Sequence, residues 1–157
     1  MDGGRYTYVS GPKRFSYKDP SGHNTITVDD LPFTVCKDSW ECSKLSQPVK
    51  ENFRCTKLAE FAQAGKVVYI KPDLYVLADE MYTGDRHTYQ QYFHFNNHGT
   101  VTQNAPGEKK FPCVAYRGKM AEADFYFVSA QVKAELKSGH IARHYNVEEE
   151  NTVCKVT

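Results

Sequence analysis

Short strand-like runs, each closed by Gly, Pro, Asn or Asp, recur along the whole chain. The sharpest pair is KVVYIK (66–71) and LYVLADEMY (74–82), which only Pro72 and Asp73 separate. Two such runs joined by a short turn predict a β-hairpin. About a dozen such runs, with almost no stretch of helical period, predict an all-β fold with little or no helix. The expected architecture is an antiparallel two-layer β-sandwich of the supersandwich-like kind.

The individual elements follow from the same pattern and its turn residues. The predicted strands are 5–10, 14–18, 24–30, 33–36, 49–57, 66–71, 74–82, 86–96, 100–103, 112–118, 123–131, 133–139 and 152–156. A single helical turn is predicted within 58–65, and a turn within 139–146.

Length and charge limit the function classes. A chain of 157 residues predicts one domain over 1–157. A net charge of +1, without a block of Lys and Arg, argues against nucleic acid. No apolar run approaches the roughly 20 residues of a membrane helix. With no apolar segment after Met1, we expect no signal peptide and a cytoplasmic protein.

Five cysteines, an odd number and none in CxxC spacing, favour reduced thiols and a cytosolic setting, or an incidental pair.

The stretch RHTYQQYFHF (86–95) combines histidines with aromatic residues and so raises the question of a metal site. On a strand, neighbouring side chains point to opposite faces. His87 and His94 are seven residues apart and therefore face opposite ways, so they are not expected to share one ion. We interpret this stretch as a strand covered on both faces.

A small basic group accompanies the aromatic residues near the N terminus. Tyrosines at 6, 8, 17 and 92 could form a row on which sugar rings stack, or they could fill the core. The basic group could face an acidic sugar or form a solvated edge strand. Its members are Arg5, Lys13, Arg14 and Lys18.

Asp2 and His23 each stand at the start of a predicted strand. If those strands are neighbours, one carboxylate and one imidazole converge. Zinc accepts both donors but normally needs at least a third protein ligand. Spacing alone also fits a histidine that serves only as a hydrogen-bonding residue.

Five blocks in order resemble the C-terminal β-sheet domain of the heparinase II/III family. The most specific is Asp-x-Gly-x-Tyr-x-Tyr followed by His-Asn-Thr, and the HxYxQxFHF block is next. The blocks are DGGRYTY (2–8), KRFSYKDPSGHNTITVDD (13–30), KVVYIKPDLYVLADE (66–80), HTYQQYFHF (87–95) and SGHIARHYNVEEE (138–150).

The resemblance implies a polysaccharide lyase, which cuts uronic-acid glycans, including glycosaminoglycans, by β-elimination. In that family the proton-transferring residues belong to a helical toroid upstream of the β-domain, and the toroid is absent here. The resemblance therefore implies a β-domain that is not catalytic by itself, and no catalytic residue is assigned. The candidate substrate-binding residues are Tyr8, Arg14 and Asn24.

The same resemblance implies a structural zinc at Asp2 and His23, with the family's third ligand upstream of this chain, so the site is incomplete. The implied partners are an acidic polysaccharide or oligosaccharide and either a second copy of the chain or an upstream toroid. Two alternatives stay open. One is a non-catalytic carbohydrate-binding module, and the other is a small lyase that uses His23 or His94 as its base.

Overall fold

The computed structural model describes residues 3–31, 62–82, 85–105, 107–129 and 131–157. The chain divides into two compact units, one formed by Met1–Asp30 with Thr88–Thr157 and the other by Leu31–His87. The sheets of the described residues are antiparallel in both units, so the predicted all-β class is confirmed. The predicted single domain over 1–157 stays a prediction. None of the helices in the described ranges is long and apolar enough to cross a membrane.

The elements follow one another in a simple order, with the helical ones first. They are helix α1 (Pro12–Ser16), a 3₁₀ turn (Pro20–Gly22), and strands β1 (Ile26–Val28), β2 (Ala62–Ile70), β3 (Leu74–Tyr82), β4 (Tyr89–His94), β5 (Gly99–Gln103), β6 (Cys113–Gly118), β7 (Glu122–Tyr126), β8 (Ala134–His144) and β9 (Val147–Val156).

Two sheets build the first unit. One has the strand order β1-β4-β9-β8 and the other the order β5-β6-β7. Apolar side chains from both sheets form one core, in which Val114 of β6 and Cys154 of β9 are fully buried. Burial of such side chains is the main source of stability in a sandwich of this kind. The other buried members of the core are Phe95, Phe127, Ala134 and Val156.

Strand β4 is covered on both faces, as its sequence predicts. Phe93 packs against Phe125 and Phe127, with ring centroids 5.8 and 5.6 Å away. On the opposite face, the residues Tyr92 and His94 are only 9% and 5% exposed to solvent. His87 lies before β4 and takes no part in it.

The second unit contains the predicted hairpin. Strand β2 pairs with β3 along nine residues, from Ala62 opposite Tyr82 to Ile70 opposite Leu74. Pro72 and Asp73 lie in the connection, as the sequence predicts. The helical turn predicted within 58–65 is wrong at residues 62–65, because these residues pair with β3.

Two strands predicted near the N terminus are wrong. Residues 14–18 lie in or directly after α1, where Pro12 takes the first helical position, for which its fixed φ is suited. Residues 5–10 form no strand, and they contact α1 and the turn that follows β8. The turn predicted within 139–146 is shorter than expected, since β8 continues to His144. The strands predicted at 33–36 and 49–57 lie outside the described residues.

Candidate functional site

A glycine pair anchors the N-terminal segment beside β8. The backbone N–H of Ala142 donates to Gly3 O at 2.8 Å, and Gly4 forms a parallel bridge with Ala142. Gly4 has a φ of +78°, and a Cβ at this position would overlap the carbonyl oxygen of Ala142. Only glycine satisfies both conditions, so the Gly-Gly of the first sequence block fixes where residues 5–8 lie.

The turn between β8 and β9 holds the other side of this segment. Asn146 has a φ of +58°, which asparagine tolerates better than most residues, and its N–H donates to Tyr6 O at 2.8 Å. The turn also presents Tyr145, whose ring stacks on that of Tyr8 with centroids 5.9 Å apart. The hydroxyls of Thr7 and Tyr145 are hydrogen-bonded at 3.2 Å.

Tyr8 and Tyr145 are exposed aromatic rings next to a cation. They retain 64% and 52% of their exposure, and the Arg5 guanidinium lies 4.8 Å from the Tyr8 ring centroid. Of the four tyrosines considered as a sugar-stacking row, Tyr17 and Tyr92 are buried at 8% and 9% exposure. A continuous row is therefore wrong, and the exposed pair is Tyr8 with Tyr145.

Arg14 fixes the backbone under this pair. Its Nη1 donates to Tyr8 O at 2.9 Å and reaches Thr7 O at 3.5 Å. The fold thus brings together two of the three residues predicted to bind substrate, Tyr8 and Arg14. An arginine that already holds carbonyls can still direct its remaining N–H donors to an anion, because the guanidinium has five donors.

A second aromatic pair adjoins the first. The Tyr6 and Tyr17 rings stack with centroids 6.0 Å apart, and Lys13 Nζ lies 4.6 Å from the Tyr6 centroid. Lys13 also donates to Glu148 at the start of β9, and the Tyr17 hydroxyl donates to the other oxygen of that carboxylate at 3.1 Å.

These contacts shift the ionisation of all three groups. The hydrogen bond from Lys13 lowers the pKa of Glu148, and the same bond raises the pKa of Lys13. Burial, followed by the hydrogen bond to Glu148, raises the pKa of Tyr17 above its usual value. At neutral pH Lys13 is therefore a cation, Glu148 an anion and Tyr17 a neutral donor.

We call this region the aromatic-basic surface. It carries exposed rings for contact with sugar C–H groups and three cations for anion recognition, and it lies entirely within the first unit. It consists of Arg5, Tyr6, Tyr8, Lys13, Arg14 and Tyr145.

Asn24, the third residue predicted to bind substrate, holds two segments of the fold together. Asn24 Oδ1 accepts a hydrogen bond from the backbone N–H of His94 at 2.7 Å, which ties the segment before β1 to β4. His94 Nε2 lies 2.8 Å from Ser21 O. Buried at 5% exposure, this imidazole is poorly placed to take a proton from a polysaccharide.

The predicted zinc ligands are only partly described. Asp2 lies outside the described residues, and His23, which follows the 3₁₀ turn, is half-buried. Within the described part of the chain, no three His, Cys, Asp or Glu side chains lie close enough to hold a metal. Since only His23 of the predicted pair is described, the incomplete zinc site stays a prediction.

Sequence reasoning missed Tyr145 and Glu148 as members of the site. Tyr145 belongs to the predicted turn within 139–146 and Glu148 follows it, and only the two-residue turn at Tyr145 and Asn146 brings them to residues 6–17. The turn-forming tendency of asparagine was the available signal.

Arg143, noted in the same block, has a structural role. It donates to Glu149 at 2.8 Å and to Asn96 at 2.8 Å, so it braces the end of β4 against β8 and β9.

Comparison of the chain with protein-family models, curated proteins and solved structures found no match.

Proposed function

We propose that this chain is the β-sandwich domain of a heparinase II/III-like polysaccharide lyase and binds acidic glycans without cleaving them by itself. The aromatic-basic surface is the proposed binding site. The observation that carries the proposal is the exposed Tyr8–Tyr145 pair, with Arg5 against the Tyr8 ring and Arg14 hydrogen-bonded to the Tyr8 carbonyl oxygen.

The chemistry of this surface suits a uronic-acid chain. Phenol rings pack on the apolar C–H faces of a pyranose, and guanidinium groups bind carboxylates through paired hydrogen bonds. The surface has three cations, Arg5, Lys13 and Arg14, and one adjoining carboxylate, Glu148. The excess of positive charge attracts a polyanion, and added salt weakens that attraction.

Binding without catalysis is supported by the surroundings of His94, one of the two candidate bases. His94 is buried and hydrogen-bonded, while β-elimination needs a base within reach of the C5 proton. In the proposal, the proton-transferring groups come from a helical toroid that docks on this domain. A stand-alone carbohydrate-binding module is the second candidate, and the high exposure of Tyr8 and Tyr145 favours it equally.

A zinc ion at Asp2 and His23 stays part of the proposal through the sequence resemblance alone. A site with two protein ligands would bind zinc weakly. Thermal unfolding with and without added zinc tests it, since a bound ion raises the melting temperature and His23→Ala removes the rise.

A reducing compartment such as the cytoplasm is also part of the proposal. Cys113 and Cys154 are free thiols buried in the core. Burial raises the pKa of Cys154 to about 11, which keeps its thiol protonated and unreactive.

The test is titration calorimetry with uronic-acid oligosaccharides and with heparin. We expect the wild-type chain to bind, with affinity falling as salt rises, and Tyr8→Ala to weaken binding about two- to tenfold. Tyr126→Ala is the matched control, because Tyr126 is 51% exposed and has Lys109 5.3 Å from its ring centroid.

A parallel assay follows the absorbance of unsaturated uronate products, which should stay flat for this chain alone. Equal effects of Tyr8→Ala and Tyr126→Ala would remove the proposed surface from consideration. A steady rise in absorbance that His23→Ala abolishes would instead establish a small lyase.

A further inference from the structure

Glu148 is held in the manner of a bound carboxylate. One oxygen accepts from Lys13 and the other accepts from the Tyr17 hydroxyl at 3.1 Å. Both donors belong to one aromatic cluster. The Lys13 ammonium lies over the Tyr6 ring, and the Tyr6 ring stacks on the ring of Tyr17. An ammonium, a phenol and an aromatic face together form a receptor for an acidic sugar.

Access to this receptor from solvent differs among its members. The Lys13 side chain is 53% exposed and that of Glu148 is 26% exposed, while Tyr17 is buried. An incoming carboxylate can therefore approach Lys13 directly. Glu148 is carried on the first residues of β9, beside the turn that presents Tyr145. The contact thus adjoins the aromatic-basic surface.

We propose that Glu148 occupies a carboxylate subsite of the aromatic-basic surface and that the carboxylate of a uronic acid displaces it on binding. This inference rests on the proposed function. It adds that the Glu148 carboxylate competes with the sugar carboxylate for the same donors, so that Glu148 is an internal competitor. Exchange of one carboxylate for another leaves Lys13 paired in both states. The cost of freeing Glu148 lowers the affinity of the wild-type chain for acidic sugars.

The test compares Glu148→Ala, Glu148→Gln and Glu150→Ala by calorimetry with an alginate oligosaccharide, whose only charged groups are carboxylates. Glu150 is an exposed residue two positions along β9, so its removal changes the net charge equally. We expect both Glu148 variants to gain roughly two- to fivefold in affinity, the range of an exposed ion pair. Glu150→Ala should gain clearly less, and Lys13→Ala should lose affinity in either background.

The outcomes separate the two proposals. Suppose that Tyr8→Ala weakens binding but that both Glu148 variants bind with the same affinity as Glu150→Ala. This result would overturn the role of Glu148 as competitor and keep the binding surface. Binding by none of the proteins would overturn both proposals. Glu148→Gln retains one of the two oxygen acceptors, so it serves if Glu148→Ala does not fold. Weaker binding by a folded Glu148→Gln would also contradict the competitor.

Discussion

Gly4 lies directly against the backbone of Ala142, in a parallel bridge that leaves no space for a Cβ. This contact joins the N-terminal segment to β8. Together with the hydrogen bond from Asn146 to Tyr6 O, it positions Tyr6 and Tyr8, which follow Gly4 without a regular strand of their own.

Gly4→Ala should therefore disrupt the aromatic-basic surface. The matched control is Gly107→Ala, since Gly107 has a similar φ of +82° and open space within 4 Å of where its Cβ would lie. We expect Gly107→Ala to cost about 1–2 kcal/mol from the unfavourable φ alone. Gly4→Ala should cost more, because the methyl group also meets a carbonyl oxygen. Urea unfolding measures both, and equal losses would contradict the close contact.

The Glu148 contact predicts a dependence of stability on pH. A carboxyl whose pKa is lowered in the folded state stabilises that state above its unfolded pKa of about 4.3. The contribution disappears as pH falls through the folded pKa. The hydrogen bond from Lys13 is the largest cause of the lowered value.

Glu148→Gln should thus be less stable than wild type at neutral pH, by no more than about fivefold in the folding equilibrium constant. The two proteins should converge in acid. Urea unfolding between neutral and acidic pH checks this, with Glu150→Gln as the control. A constant difference between wild type and Glu148→Gln at all pH values would show that the carboxylate charge is irrelevant.

The core between the two sheets predicts that truncating Val114, which has no exposed surface, destabilises the fold strongly. Val114→Ala should lower the free energy of unfolding by about 2 kcal/mol, from lost burial and the cavity left behind. Val128→Ala removes the same atoms from a residue that is 67% exposed. It should change the free energy of unfolding by less than about 0.5 kcal/mol. Similar losses in the two variants would contradict the packing of β6 against β9.

The hairpin of β2 and β3 predicts self-association. Its valines, leucines and tyrosines are largely exposed, with Val68 at 50% and its cross-strand partner Val76 at 42%. Exposed apolar patches of this kind mark interaction surfaces. The proposed partners are a second copy of the chain or an upstream toroid.

The double variant Val68→Lys with Val76→Glu places an opposite-charge pair on the hairpin and should reduce self-association measured by light scattering after gel filtration. Thr100→Lys with Thr102→Glu makes the same change on exposed positions of β5 and should have no effect. A wild-type chain that stays monomeric at high concentration would refute self-association.

Much of the fold follows from sequence periodicity. Strands β2 and β3 and their turn were predictable because two apolar runs and the Pro72-Asp73 turn between them agree locally. Residues 14–18 were mistaken for a strand because tyrosine and phenylalanine favour strands, whereas Pro12 starts a helix there. Propensity is a weak guide where a short segment is fixed by distant contacts, as residues 5–8 are.

The site was predictable only in part, for a related reason. Tyr8 and Arg14 lie close in sequence, so a local basic and aromatic group was visible. Tyr145 and Glu148 reach the same surface from more than 130 positions away, through the turn that ends β8. No spacing rule indicates such a contact. Asn24, by contrast, uses its side-chain oxygen to hold β4.

The central claim is that an acidic glycan binds at the aromatic-basic surface, and nuclear magnetic resonance with an isotope-labelled chain tests it most directly. Titration with an alginate oligosaccharide should shift the signals of Arg5, Tyr8 and Tyr145 in a saturable manner and leave those of β5, β6 and β7 unchanged. Shifts centred on the three-stranded sheet, or none at all at low salt, would contradict the claim.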